Sequence, residues 1–115
     1  MNNTPEIIDD PMYQLLREDK VAEFNERRDT SEIYNLQGCD LRGLDLRGLE
    51  AVGLDLRGSY FRQTDLRGID FRKSNLEGAS IKGAKISGTY FPSMLSAEEI
   101  NLSLQHGTRM RYISK

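Results

Sequence analysis

From Tyr34 to Ser93 the apolar residues return every five positions, twelve times without a gap. The centres of these units are Leu36, Leu41, Leu46, Ala51, Leu56, Phe61, Leu66, Phe71, Leu76, Ile81, Ile86 and Phe91. Two residues before each centre stands a small or apolar residue, such as Cys39, Ser59, Thr64 or Ala79. The residue just before the centre is mostly polar, the one just after is often basic, and nine of the twelve units close on Gly. Internal repetition of this kind decides the architecture before any local propensity does.

A period of five suits neither an α-helix, where it would scatter the centres around the axis, nor a flat strand, where odd spacing alternates faces. All centres reach one interior only if the backbone turns at the end of each unit, and Gly takes the positive φ of such a corner without steric cost. Each unit then forms one side of a coil, and successive coils bury their apolar atoms against one another. Cys39-Asp40-Leu41-Arg42-Gly43, Leu44-Asp45-Leu46-Arg47-Gly48 and Ser74-Asn75-Leu76-Glu77-Gly78 resemble the A(D/N)Lxx unit of pentapeptide repeat proteins. That resemblance implies an all-β solenoid, a right-handed quadrilateral β-helix of about three coils with four units in each. It also implies that residues twenty apart stack in columns. Fold of this kind does not fix activity.

The flanks read as caps, giving one domain with three parts: 1–33, 34–93 and 94–115. Asp10-Pro11 is an N-cap followed by Pro at the first helical position, and one amphipathic helix is expected from Pro11 to about Arg28. Its face of Met12, Tyr13, Leu16 and Phe24 would cover the first coil. Ser96-Ala97-Glu98-Glu99 reads as a capping box, opening a short helix that stops at Gly107. Residues 108–113 suggest an extended tail closing the last coil, and the same segment offers a route to a homodimer. Within the repeat, Leu44, Leu49 and Leu54 overfill positions that should be small, and Ala51 between two of them offers compensating space.

Charge refines the picture. Residues 1–33 hold nine acids and four bases, whereas residues 34–93 hold seven acids and nine bases. That balance is too weak for a nucleic-acid surface, so nucleic acid is not an expected partner. No apolar run reaches the ~18 residues of a membrane helix, and the acidic start lacks the pattern of a secretory signal. With the single Cys39, these features lead to the expectation of a cytoplasmic protein.

Nothing in the sequence assembles a catalytic set, a metal site or a cofactor site. His106 stands alone at a helix end, Cys39 faces the interior, and Asp45 and Asp65 are repeat positions flanked by Arg. Neither enzymatic activity nor a cofactor is expected. The most coherent exposed feature is the column Arg42, Arg62, Lys82; the outward rings of Tyr60 and of Tyr90, the latter on the side of Glu50 and Asp70, are separate exposures. These five residues are the candidate contacts for a protein partner, on a rigid scaffold whose work is binding. The alternative is a topoisomerase- or gyrase-interacting protein similar to the quinolone-resistance members of the same family. A DNA mimic, however, would need longer negative columns than this repeat carries.

Overall fold

Every second-level contact in the repeat joins residues about twenty apart, because the chain turns four corners before it returns beside itself. The computed structural model describes residues 10–28 and 36–113. Among these residues, isolated parallel bridges link Asp40 to Tyr60, Asp45 to Asp65, Asp55 to Asn75, Tyr60 to Ser80, Asp65 to Lys85 and Asp70 to Tyr90. Each bridge is made by two backbone hydrogen bonds. Leu41 N–H donates to the Tyr60 carbonyl at 2.9 Å, and Tyr60 N–H donates to that of Cys39 at 3.0 Å.

The expected all-β solenoid is corrected by this arrangement. Among the described residues there is no strand and no sheet, and the regular elements are three short helices. The reason lies in the unit length. Two of its five residues point to the core and the last turns the corner, so pairing is broken before a run of bridges can form. The quadrilateral β-helix is therefore replaced by a stack of turns held by single bridges.

The corners follow the glycines. All nine unit-closing Gly residues have positive φ, and at one corner Gln63 takes the same conformation at φ 59°. The centres Leu36, Leu41, Leu46, Ala51, Leu56, Phe61, Leu66, Phe71, Leu76 and Ile81 are all buried, while Ile86 and Phe91, in the last level, are half-buried. Hydroxyls near the core are satisfied by carbonyls of the preceding level. Ser59 Oγ donates to Leu36 O, Thr64 Oγ1 to Leu41 O and Thr89 Oγ1 to Leu66 O, each at 2.6 Å. Burying a hydroxyl without such a partner would be costly.

One pairing is interrupted. Glu50 makes no bridge to Asp70, and the flanking hydrogen bonds found at every bridge are absent there too. Leu49 and Leu54 are buried on either side of the small Ala51 centre, reversing the usual order of small and large side chains. Lys73 follows at a corner where no positive φ occurs, and Gly53 N–H reaches Lys73 O at 2.7 Å, one residue beyond the partner seen at Gly43. A concavity of about 510 Å³ opens here, lined by Leu49, Glu50, Ala51, Val52, Asp70 and Arg28 among others.

The N-terminal cap is two helices where one was expected: α1, Pro11–Arg17, and α2, Val21–Arg27. Asp10 caps α1 as predicted, its carboxylate accepting from the amides of Met12 at 2.8 Å and Tyr13 at 3.2 Å. The break is a Schellman motif with Asp19 in the left-handed conformation (φ 61°). Lys20 N–H donates to Leu15 O at 2.8 Å and Asp19 N–H to Leu16 O at 3.3 Å, the paired bonds that terminate a helix. The break lets both helices meet the first level. Tyr13 OH donates to the Asp40 carbonyl at 2.8 Å. Asn25 acts as a stand-in for a missing backbone neighbour: its Oδ1 accepts from Glu50 N–H at 2.9 Å and its Nδ2 donates to Gly48 O at 2.8 Å. Arg28 donates to the carbonyls of Glu50 and Val52.

The other end is closed by α3, Ala97–His106, and the segment after it. Ser96 Oγ accepts from Glu99 N–H at 3.1 Å, and Gly107 ends the helix at φ 74°. Glu99 does not complete a reciprocal box; its carboxylate accepts from Arg111 N–H and Nη2 at 2.9 and 3.1 Å. Gly83 N–H donates to Leu104 O, Ile81 N–H to Ser103 Oγ, Leu76 N–H to Tyr112 Oη, and Met110 exchanges backbone bonds with Gly78 and Ala79. The expected tail thus pairs with the last level. Residues 1–9, 29–35 and 114–115, which include Tyr34 and the stretch 29–33 expected to connect the cap to the first coil, lie outside the described residues.

Two substitutions test this account. Gln63→Gly should stabilise the chain by about 1 kcal/mol by removing a side chain from a left-handed corner. Tyr13→Phe should cost about 1 kcal/mol, because it removes the shorter of the two hydrogen bonds to the Asp40 carbonyl and leaves only the longer one from Arg17. Denaturant melts of both variants against the wild type read these shifts.

Candidate docking face

The outer surface of the repeat is dominated by one local motif, an Asp just before the centre and an Arg just after it. In each case the Arg folds back in a two-pronged pair. Arg42 Nε and Nη2 donate to Asp40 at 2.8 and 2.9 Å, and Arg47, Arg57, Arg67 and Arg72 hold Asp45, Asp55, Asp65 and Asp70 in the same way. The Asp also accepts the Arg backbone amide, as Asp70 does from Arg72 at 2.9 Å. Side-chain hydrogen bonds from Arg hold the Asp65 and Asp70 carboxyls down at about 2. Asp40, Asp45 and Asp55 are lowered for the same first reason.

These carboxylates are therefore ionised and matched, which leaves none poised as a general acid or base. Arg47 also reaches Asp65, with Nε 3.4 Å from Oδ2, so the Asp45 and Asp65 charges share two guanidiniums. Cys39 is buried. Among the described residues, no three of His, Cys, Asp and Glu come together as metal ligands.

The motif fails at two places on one face. The bridge column Asp40, Tyr60, Ser80 runs beside Arg42, Arg62, Lys82, so the carboxylate is replaced by a phenol and then by a hydroxyl. Arg42 keeps its Asp40. Arg62 and Lys82 have no carboxylate partner among the described residues, and all three cations are exposed. The column expected from the sequence is thus brought together, but its members differ in kind. Arg62 and Lys82 also pass beside the C-terminal end of α3. A Cβ built on Gly107 would lie 2.9 Å from Arg62 Nη2 and 3.4 Å from Lys82 Cβ. Cations are favourable at a helix C-terminus, so these two also help to seat α3.

Other cations join the same face from outside the repeat. Arg17 Nη1 lies 3.8 Å from Asp40 Oδ2. Arg109 lies over the Tyr60 ring, 5.1 Å from its centroid, and donates to Tyr60 Oη and to Gly78 O. Sequence reasoning missed both, because neither belongs to the repeat period. Arg17, Asp40, Arg42, Gly43, Arg62 and Gln63 line a shallow concavity of about 410 Å³.

The two tyrosines are not equivalent. Tyr60 is half-buried under Arg109 on this face. Tyr90 lies in the Asp70 column, 56% exposed, with the Arg72 guanidinium 4.7 Å from its ring centroid. Tyr90 is therefore on a different side from the cationic column.

A short-period repeat scaffold, with its chemistry confined to its outer faces, is the class that this geometry defines. The family model for pentapeptide repeats matches eight copies, over residues 35–63 and 55–91, and the chain belongs to the pentapeptide-repeat family. Proteins of that family are in general not enzymes. Neither the curated proteins nor the solved structures gave a match. No helix among the described residues is long and apolar enough to cross a membrane.

The Asp–Arg pairs give the stability a defined acid limb. The lowered carboxyls contribute stability that is fully present above the ordinary value of 3.8 and is lost as pH falls towards about 2. Urea midpoints should therefore be flat from neutral pH to about 5 and fall below it. Asp70→Asn should lower the neutral midpoint and flatten that fall.

Proposed function

We propose that this chain is a non-enzymatic scaffold that docks an acidic protein surface on the face carrying Arg42, Arg62 and Lys82. One observation carries the reading: every other Arg just after a repeat centre has its own Asp two residues earlier, whereas Arg62 and Lys82 follow Tyr60 and Ser80. With Arg17 and Arg109, five cations converge on a face whose repeat column supplies the single carboxylate Asp40. Electrostatic complementarity of this kind selects partners and speeds encounter. Tyr60 adds an aromatic surface beside the cations, held in place by Arg109.

The topoisomerase reading draws less support. Asp45, Asp55, Asp65 and Asp70 are each neutralised by an adjacent Arg, so no continuous negative column is presented. A surface imitating the DNA backbone requires unmatched acids at regular spacing.

Affinity capture from the native lysate tests the docking face, with wild type and an Arg62→Glu/Lys82→Glu double variant as baits. Both variant positions lack a carboxylate partner, so the repeat's ion pairs stay intact, and a thermal melt checks that α3 remains seated. The expected result is an acidic protein retained by the wild type, released by moderate salt, and lost from the variant. Retention of the same proteins by both baits would remove this face from the function.

A further inference from the structure

We propose that the concavity among Arg17, Arg42 and Arg62 seats a phosphoryl group carried on a side chain of the partner. This inference rests on the docking reading and narrows its ligand. Three arginines and the single carboxylate of Asp40 line the concavity, a formal surplus of two positive charges among its lining residues. A phosphomonoester carries about −1.5 to −2 near neutral pH and matches that surplus, whereas a carboxylate would meet only half of it.

The donors are partly arranged in advance. Arg42 uses Nε and Nη2 on Asp40, which fixes its plane and leaves Nη1 directed to no acceptor among the described residues. Arg17 is held by the same residue, donating from Nη1 to the Asp40 carbonyl at 3.4 Å. Planar guanidiniums anchored in this way offer paired N–H groups to phosphate oxygens with little further ordering. Arg62 lines the concavity but sends Nη2 towards Gly107. The proposed seat includes a turn of this exposed side chain from Gly107 into the concavity.

Gln63 supplies a second sign of a site. It stands at φ 59° in a column otherwise made of Gly43 and Gly83, and it lines the concavity. A non-Gly residue held in a sparsely populated conformation at a cationic rim points towards function. The seat is also open, with the Arg17 and Arg42 side chains 31% and 48% exposed. Small free ligands are held in enclosing clefts. An open seat at the head of a cationic column suits a group presented on another protein, whose acidic flank continues along Lys82.

Calorimetric titration of the whole chain at fixed ionic strength tests this. The probes are a phosphoserine peptide flanked by glutamates, its unphosphorylated serine twin, and inorganic phosphate. The phosphopeptide should bind at least about tenfold more tightly than its twin and more tightly than inorganic phosphate. Arg62→Gln and Arg42→Gln should each abolish most of that difference, while Lys82→Gln should weaken both peptides alike. Arg62→Gln breaks no ion pair, so it keeps the test valid if Arg42→Gln unfolds the chain. Equal affinity for the two peptides overturns the phosphoryl seat and leaves acidic docking standing. Inorganic phosphate binding as tightly as the phosphopeptide overturns a partner-borne group. An unchanged difference in Arg62→Gln overturns the location. Absence of binding by either peptide overturns the seat, and the capture experiment then decides docking independently.

Discussion

The structure depends on a pair of backbone hydrogen bonds around one bridge residue, repeated at an offset of about twenty. Asp65 is an example: its N–H donates to Leu44 O at 2.8 Å and its carbonyl accepts from Leu46 N–H at 3.1 Å. These bonds register each level over the last, and the register places the centres inside and the Asp–Arg pairs outside. Because a unit offers at most one bridging residue to each neighbouring level, no single side is self-sufficient. Cohesion comes from the column of core side chains, with Phe61 and Phe71 meeting edge to face at 6.2 Å. Where the core order is reversed, at Leu49, Ala51 and Leu54, the bridge between Glu50 and Asp70 is lost.

An open end in such a stack would expose unpaired N–H and C=O groups, the usual liability of an edge. This chain closes its ends with side chains as much as with backbone. Asn25 offers an amide in place of a peptide group, Ser103 offers a hydroxyl, and Tyr13 and Tyr112 offer phenols. α1, α2 and α3 carry Tyr13, Asn25 and Ser103, and the segment after α3 carries Tyr112. Phe24 of α2 and Met110 of the segment after α3, both fully buried, then add the apolar cover.

Much of this was legible in the sequence, and the failures have definite causes. The period located the core and corners because Gly38 to Gly88 mark positive φ directly. It suggested strands because side-by-side chain was implied, but five-residue sides are too short for more than single bridges. The N-terminal helix was read as continuous because its stop is Asp19, a residue that announces a left-handed turn far less clearly than Gly. The cationic column was visible once the family resemblance supplied four units to a coil. What spacing could not show was which of its members are matched: that depends on whether the residue two before is Asp40, Tyr60 or Ser80. Arg17 and Arg109 belong to other segments, so only the folded chain brings them to the face.

The twenty-residue offset has a bearing on how a chain of this design can change in length. Insertion of one five-residue unit between the first and second levels would rotate everything after it by one side, carrying Ser103, Leu104 and Met110 round together with the groups they satisfy and turning the last closure against the first. Insertion of four units between the first and second levels would leave both closures facing their present partners. Each single unit therefore turns one end of the stack against the other, and only whole circuits keep Arg17 at one end and Arg62 beyond it on the same face.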